Sequence, residues 1–165
     1  MAEFAAIDPV RRTVTVRASR PRAFAVFTAE IGTWWPSMQH VGPTPAEAVI
    51  EPFTGGRCYA RAGDGTETDW GRVLDWEPPS RLRFAWLLSP DWEYEPDPGH
   101  ASEVDVQFTT ADEGATTVTL EHRGFERYGD GGEGLRNQVD SAGGWGHLLE
   151  RYADLVRTGP GHEHN

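Results

Sequence analysis

Residues 118–131, VTLEHRGFERYGDG, set Glu121, His122 and Arg123 side by side. Gathered in one site, a carboxylate, an imidazole and a guanidinium would make an acid–base centre, because histidine exchanges protons near neutral pH and its neighbours would orient it and hold an anion. Whether they meet depends on the element that carries them. The run TTVTLEHRG alternates, with Val118, Leu120 and His122 on one face. A strand's period of two sends Glu121 and Arg123 to the other face. The apparent triad is therefore divided. His122 is left on an apolar face, where its simplest role is a core or cavity-wall histidine bonded to a neighbour; ligand contact comes next and acid–base catalysis last. Glu121 and Arg123 read as a solvated or cross-strand charge pair.

Other chemistries find little support. Six histidines and one cysteine show neither HExxH nor paired cysteine spacing, so no metal centre is expected, and HEH at 162–164 belongs to a tail. No serine sits in GxSxG. GDGGEG at 129–134 does not follow a buried parallel strand and is not a phosphate loop. Cys58 reads as a small strand hydrophobe; catalysis would need His122 beside it as activator. Asp69, Asp75 and Glu51 are candidate cavity acids, with surface solvation the simpler role.

The elements that must position these groups follow from periodicity. RTVTVRA, residues 12–18, alternates as a half-buried strand. Ser19 can cap a helix with Pro21 in its first turn, carrying Phe24, Phe27 and Ile31 on one face and ending near Gly32. From residue 46 onward, short strands are separated by turn signals, Asp64-Gly65 among them. Leu82, Phe84, Trp86 and Leu88 share a face, as do Val104, Val106 and Phe108. Trp145, Leu148, Leu149, Tyr152, Leu155 and Val156 form the apolar stripe of a C-terminal helix. Gly143 and Gly144 before it mark a helix start or a close backbone approach. The long connection 89–101, SPDWEYEPDPGHA, is a lid candidate through Trp92 and Tyr94, or else a mobile acidic hairpin. Hairpin-length links imply an antiparallel sheet with helices on one face, an α+β design.

Composition bounds the function. The 165 residues suit one domain, with residues 158–165 read as a disordered tail. All fifteen basic residues are arginine and the net charge is −11. Such a chain repels phosphate backbones and anionic membranes, so neither nucleic acid nor membrane is an expected partner. Without lysine there is no Schiff-base or phosphate-loop lysine. A single cysteine excludes an intrachain disulfide, the N-terminus lacks a signal-peptide pattern, and no apolar run approaches the ~18 residues of a span. A cytoplasmic protein, of GC-rich bacterial composition, is the expectation. No cofactor is expected, and a homodimer is compatible with the sequence.

The strings PFTGGRCYARAGDG, DWGRVLDWEPPSRLRFAW, LEHRGFE and GGWGHLLERYADL, in that order, resemble the bacterial proteins similar to the C-terminal domain of the activator of the heat-shock-protein-90 ATPase, within the START-like (SRPBCC) superfamily. The resemblance runs from about residue 10 to 157, within a single domain at 1–157. It implies a helix-grip fold: a curved antiparallel sheet of about six to seven strands around a long C-terminal helix, with two short helices after the first strand. It also implies an apolar cavity between sheet and helix that takes a hydrophobic small molecule, and it puts a large aromatic where Cys58 stands. Trp34, Trp35, Cys58, Phe84, Trp86, Trp92, Phe108, Leu120, His122, Trp145 and Leu149 are the candidate cavity residues, with Trp34 and Trp35 at the mouth. The leading expectation is a ligand-binding protein without catalysis. The alternatives are a cyclase or hydratase working through cavity acid–base groups, and a chaperone-associated interaction module.

Overall fold

Alternating apolar and polar residues cannot bury one face without pairing edge to edge, and the chain does so throughout. In the computed structural model, whose described residues are 9–34, 46–63, 65–87, 101–140 and 145–158, there are seven strands. They are β1 (Val10–Val16), β2 (Ala46–Ile50), β3 (Arg57–Ala62), β4 (Glu67–Glu77), β5 (Arg81–Trp86), β6 (Ser102–Asp112) and β7 (Ala115–Arg123). All neighbours pair antiparallel in the order β1-β7-β6-β5-β4-β3-β2. Helices α1 (Arg20–Ala29) and α2 (Ile31–Trp34) follow β1. A 3-10 helix (Phe125–Gly131), α3 (Gly132–Val139) and α4 (Trp145–Thr158) follow β7. This is the expected α+β helix-grip arrangement. Trp35, Asp64, Leu88, Trp92, Tyr94, Gly143, Gly144 and residues 159–165 lie outside the described residues.

Ser19 caps α1 as expected, its Oγ accepting from the Arg22 backbone N–H at 3.4 Å. The expected helix end near Gly32 is corrected. Glu30 closes α1, and Ile31 and Gly32 begin the separate turn α2. The segment 125–139 forms helices that the sequence reading did not foresee, because its glycines interrupt the apolar period.

One face of the sheet is dry. Leu82, Phe84 and Trp86 of β5, Val104, Val106 and Phe108 of β6, and Val118, Leu120 and His122 of β7 are all buried. Trp145, Leu149, Tyr152 and Val156 of α4 and Phe24 and Phe27 of α1 belong to the same core. The other face carries charge. Arg81 donates twice to Asp105, Arg83 donates to Asp75 and Glu103, and Arg123 donates to Glu103 and Asp105. Burial pushes the Asp105 carboxyl up, but Arg81 and Arg123 hold it net below its ordinary value.

β4 has two extra residues. Cys58 faces Gly71 while Tyr59 faces Asp69, so Trp70 stands unopposed; Leu74 does the same opposite β5. The first bulge coincides with an inward Trp70, fully buried against Phe84 and Trp86 at ring distances of 5.7 and 6.1 Å. Gly71 lets the strands close there. A Cβ on it would lie 2.7 Å from the Ala85 carbonyl oxygen and 3.0 Å from the Cys58 Cβ. Gly71→Ala should therefore cost about 1–3 kcal/mol in urea unfolding. Gly63→Ala, with open space around the new methyl, should change stability little. Equal stability of the two variants would contradict the close packing at Gly71.

Candidate functional site

At the β7 end opposite α1, two indoles meet one imidazole, and a third indole joins them through Trp86. His122 is fully buried on β7, and the ring of Trp86 on β5 lies 5.1 Å away. Phe125 of the 3-10 helix packs at 4.6 Å and Trp145, the first residue of α4, at 6.0 Å. Trp86 and Trp145 meet edge to face at 5.8 Å, and Trp70 extends the wall along β4. Aromatic edges and faces in this arrangement attract beyond their area of burial.

Hydrogen bonds fix the imidazole's state. The Trp145 indole N–H donates to His122 Nδ1 at 3.0 Å. An indole nitrogen only donates, so Nδ1 carries no proton and Nε2 does. Nε2 then donates to Ser102 Oγ at 2.7 Å. The Ser102 hydroxyl donates to the Tyr128 hydroxyl at 2.8 Å, and Tyr128 donates to the Trp86 carbonyl at 3.2 Å. The chain joins α4, β7, β6, the 3-10 helix and β5, and it leaves neither imidazole nitrogen open. Burial pushes the His122 pKa down to about 3. The ring is neutral at physiological pH, with its tautomer set by Trp145.

The divided triad is confirmed. Arg123 reaches Glu103 and Asp105 on the outer face, and Glu121 lies 3.9 Å from both Arg11 and Arg123. Asp69 and Asp75 are also outer-face partners, of Arg57 and Arg83, and Glu51 accepts from the Arg57 backbone. These three carboxylates do not face the interior. Cys58 does face the core, but β4, β5 and β6 separate its strand from that of His122. Burial raises its thiol pKa, the opposite of activation.

The remaining candidates fall into two groups. Trp86, His122 and Trp145 come together, with Phe84 reached through Trp70. Trp34 and Phe108 lie elsewhere in the core, each against Phe27. The Trp34 indole donates to the Val26 carbonyl, and its ring packs on Tyr152. Expected at the mouth, Trp34 is instead only 1% exposed, because α2 turns it under the helices. Leu120 and Leu149 are buried in the same core. Sequence reasoning missed Ser102, Phe125 and Tyr128. The spacing of three between Phe125 and Tyr128 was the available signal for the last two. Among the described residues no group of histidine, cysteine and carboxylate side chains is placed to hold a metal, and no helix is long and apolar enough to cross a membrane.

Residues 17–157 match the family described as activator of Hsp90 ATPase homolog 1-like protein. The chain belongs to this family. Solved structures share the fold. An anthrahydroquino-gamma-pyrone synthase is 38% identical, with 92% of this chain and 98% of that one covered and a TM-score of 0.64. The self-sacrificing resistance protein CalC from Micromonospora echinospora is 29% identical, over 90% and 94% of the two chains, with a TM-score of 0.63. A protein from the dynemicin biosynthetic locus, 24% identical, covers 93% of this chain and is itself covered over 48%, with a TM-score of 0.61. At that identity the likeness is one of fold alone. No curated protein matches the sequence.

A folded pKa of about 3 makes this family member's stability depend on pH. The unfolded histidine, near 6.5, takes up its proton first. The contribution is complete above about pH 6.5 and is lost as pH falls toward 3. Between pH 7.5 and 5, wild type should lose about 2 kcal/mol more than His122→Gln, which keeps one acceptor and one donor. Urea unfolding at both pH values measures the difference; parallel losses would refute a neutral buried imidazole. Trp145→Phe should cost about 1–3 kcal/mol by stranding Nδ1.

Proposed function

We propose that the protein binds a flat, uncharged aromatic molecule of polyketide type between the inner face of the sheet and α4, along Trp70, Phe84, Trp86, His122 and Trp145. The observation that carries this reading is the packing of two indoles, Trp86 and Trp145, on one neutral imidazole, with Trp70 extending the same apolar wall through Trp86, so that the wall bears a single fixed polar pattern. Ligand sites of this kind combine large aromatic surfaces with few placed polar groups. The 38% identity with a protein named for making an aromatic pyrone supports the ligand class.

Catalysis is the second reading, favoured by that same identity to a synthase. It needs a group that takes or gives a proton. Trp145 holds Nδ1 and Ser102 receives the proton of Nε2, so His122 acts on a substrate only after one of these bonds opens. Binding without turnover fits this geometry better.

Native mass spectrometry of protein purified from its own cells should show a bound aromatic molecule, and danthron, an uncharged dihydroxyanthraquinone, should quench tryptophan fluorescence saturably. Trp86→Phe should weaken binding by about fivefold, the scale of one aromatic contact. Danthron recovered with unchanged mass supports binding, a new mass supports catalysis, and no saturable quenching with no co-purifying molecule refutes both.

A further inference from the structure

An apolar groove lies at the opposite end of the sheet, away from the residues described above. It has a volume of about 570 Å³ and runs between α1 and the ends of β2 and β4. Ala25 and Ala29, exposed on α1 and one turn apart, form one wall. Trp76, Pro78 and Pro79 form the other, and Phe24 and Ile50 also line it. The volume lies within the roughly 300–1,000 Å³ of small-molecule sites. Because the two alanines carry only methyl groups, α1 leaves the indole of Trp76 uncovered on this side. Trp76 is half-buried and meets Phe24 edge to face at 5.0 Å.

The lining defines the occupant. Among the described lining residues only Thr28 has a hydroxyl, and that hydroxyl already donates to the Phe24 carbonyl at 2.8 Å. Among the described residues no charged side chain lines the groove. Trp76 contributes the one indole among the described lining residues, whose N–H can only donate a hydrogen bond. The net charge of −11 disfavours carboxylate-bearing molecules such as fatty acids. We infer that this groove is a second small-molecule site, taking an uncharged planar ring system that packs on Trp76 and Phe24 and accepts one hydrogen bond from the Trp76 indole. The inference stands apart from the sheet–α4 reading, since no residue is shared.

The indole N–H resonances of a ¹H–¹⁵N spectrum separate the two sites, because Trp76 reports the groove while Trp86 and Trp145 report the inner wall. Danthron should shift the Trp76 indole, and anthraquinone carboxylate should bind there at least tenfold more weakly. Ala25→Phe fills the groove from an exposed helix position without touching the core. It should abolish the Trp76 response, or weaken it at least tenfold, and leave any response of Trp86 and Trp145 intact. Ala29→Phe serves as a second filling variant should the first unfold. A Trp76 response without one from Trp86 or Trp145 supports the groove and refutes the inner wall. An unmoved Trp76, binding unaffected by filling the groove, or preference for the carboxylate overturns the groove site while leaving the inner wall to be judged on its own signals.

Discussion

A fully buried imidazole tolerates neither an unmet donor nor an unmet acceptor, and the end of the sheet that carries His122 is organised by that constraint. Trp145 supplies the donor and Ser102 the acceptor, at 3.0 and 2.7 Å. Because Trp145 opens α4, the same bond sets where the helix starts against the sheet. Because Ser102 opens β6 and passes its proton to Tyr128, the 3-10 helix is tied to β5 and β6 as well. Five elements thus meet through one polar chain inside an aromatic shell. Satisfied throughout, such a chain specifies one arrangement; with one link missing, low polarity makes the gap costly.

Charge is sorted by the sheet. Guanidinium groups and carboxylates interleave across β4, β5, β6 and β7 on the outer face, while the inner face carries a neutral histidine and a thiol whose pKa burial raises. The strand period performs the separation residue by residue, so Glu121 and Arg123 can be charged within one residue of a neutral His122. On the inner face both nitrogens of His122 are already engaged, so the ring transfers a proton only after one of these bonds opens.

Much of this was legible in the sequence. Alternation in VTLEHR and RLRFAW gave the inward faces of β7 and β5, and Ser19-x-Pro21 gave the start of α1. The parts that escaped depend on tertiary geometry. A bulge sets Trp70 inward against the simple period, and no residue type announces it. Trp34, expected at a mouth, is turned inward by α2, a helix of four residues too short to show a period. The partner of His122 on α4 is 23 residues away in sequence, and the chain from Ser102 to Tyr128 spans 26; neither pairing leaves a local trace. The groove beside α1 arises from two alanines and a tryptophan that sequence order keeps far apart.

The claim that the inner wall is a neutral, hydrogen-bonded surface, and not an acid–base site, is tested most directly by the ¹⁵N chemical shifts of the His122 ring. Followed from pH 8 to pH 4.5, they should show the Nε2-protonated neutral tautomer throughout, as expected for a group with a pKa of about 3. A titration to imidazolium near pH 6.5, or a proton found on Nδ1 at neutral pH, would contradict the account.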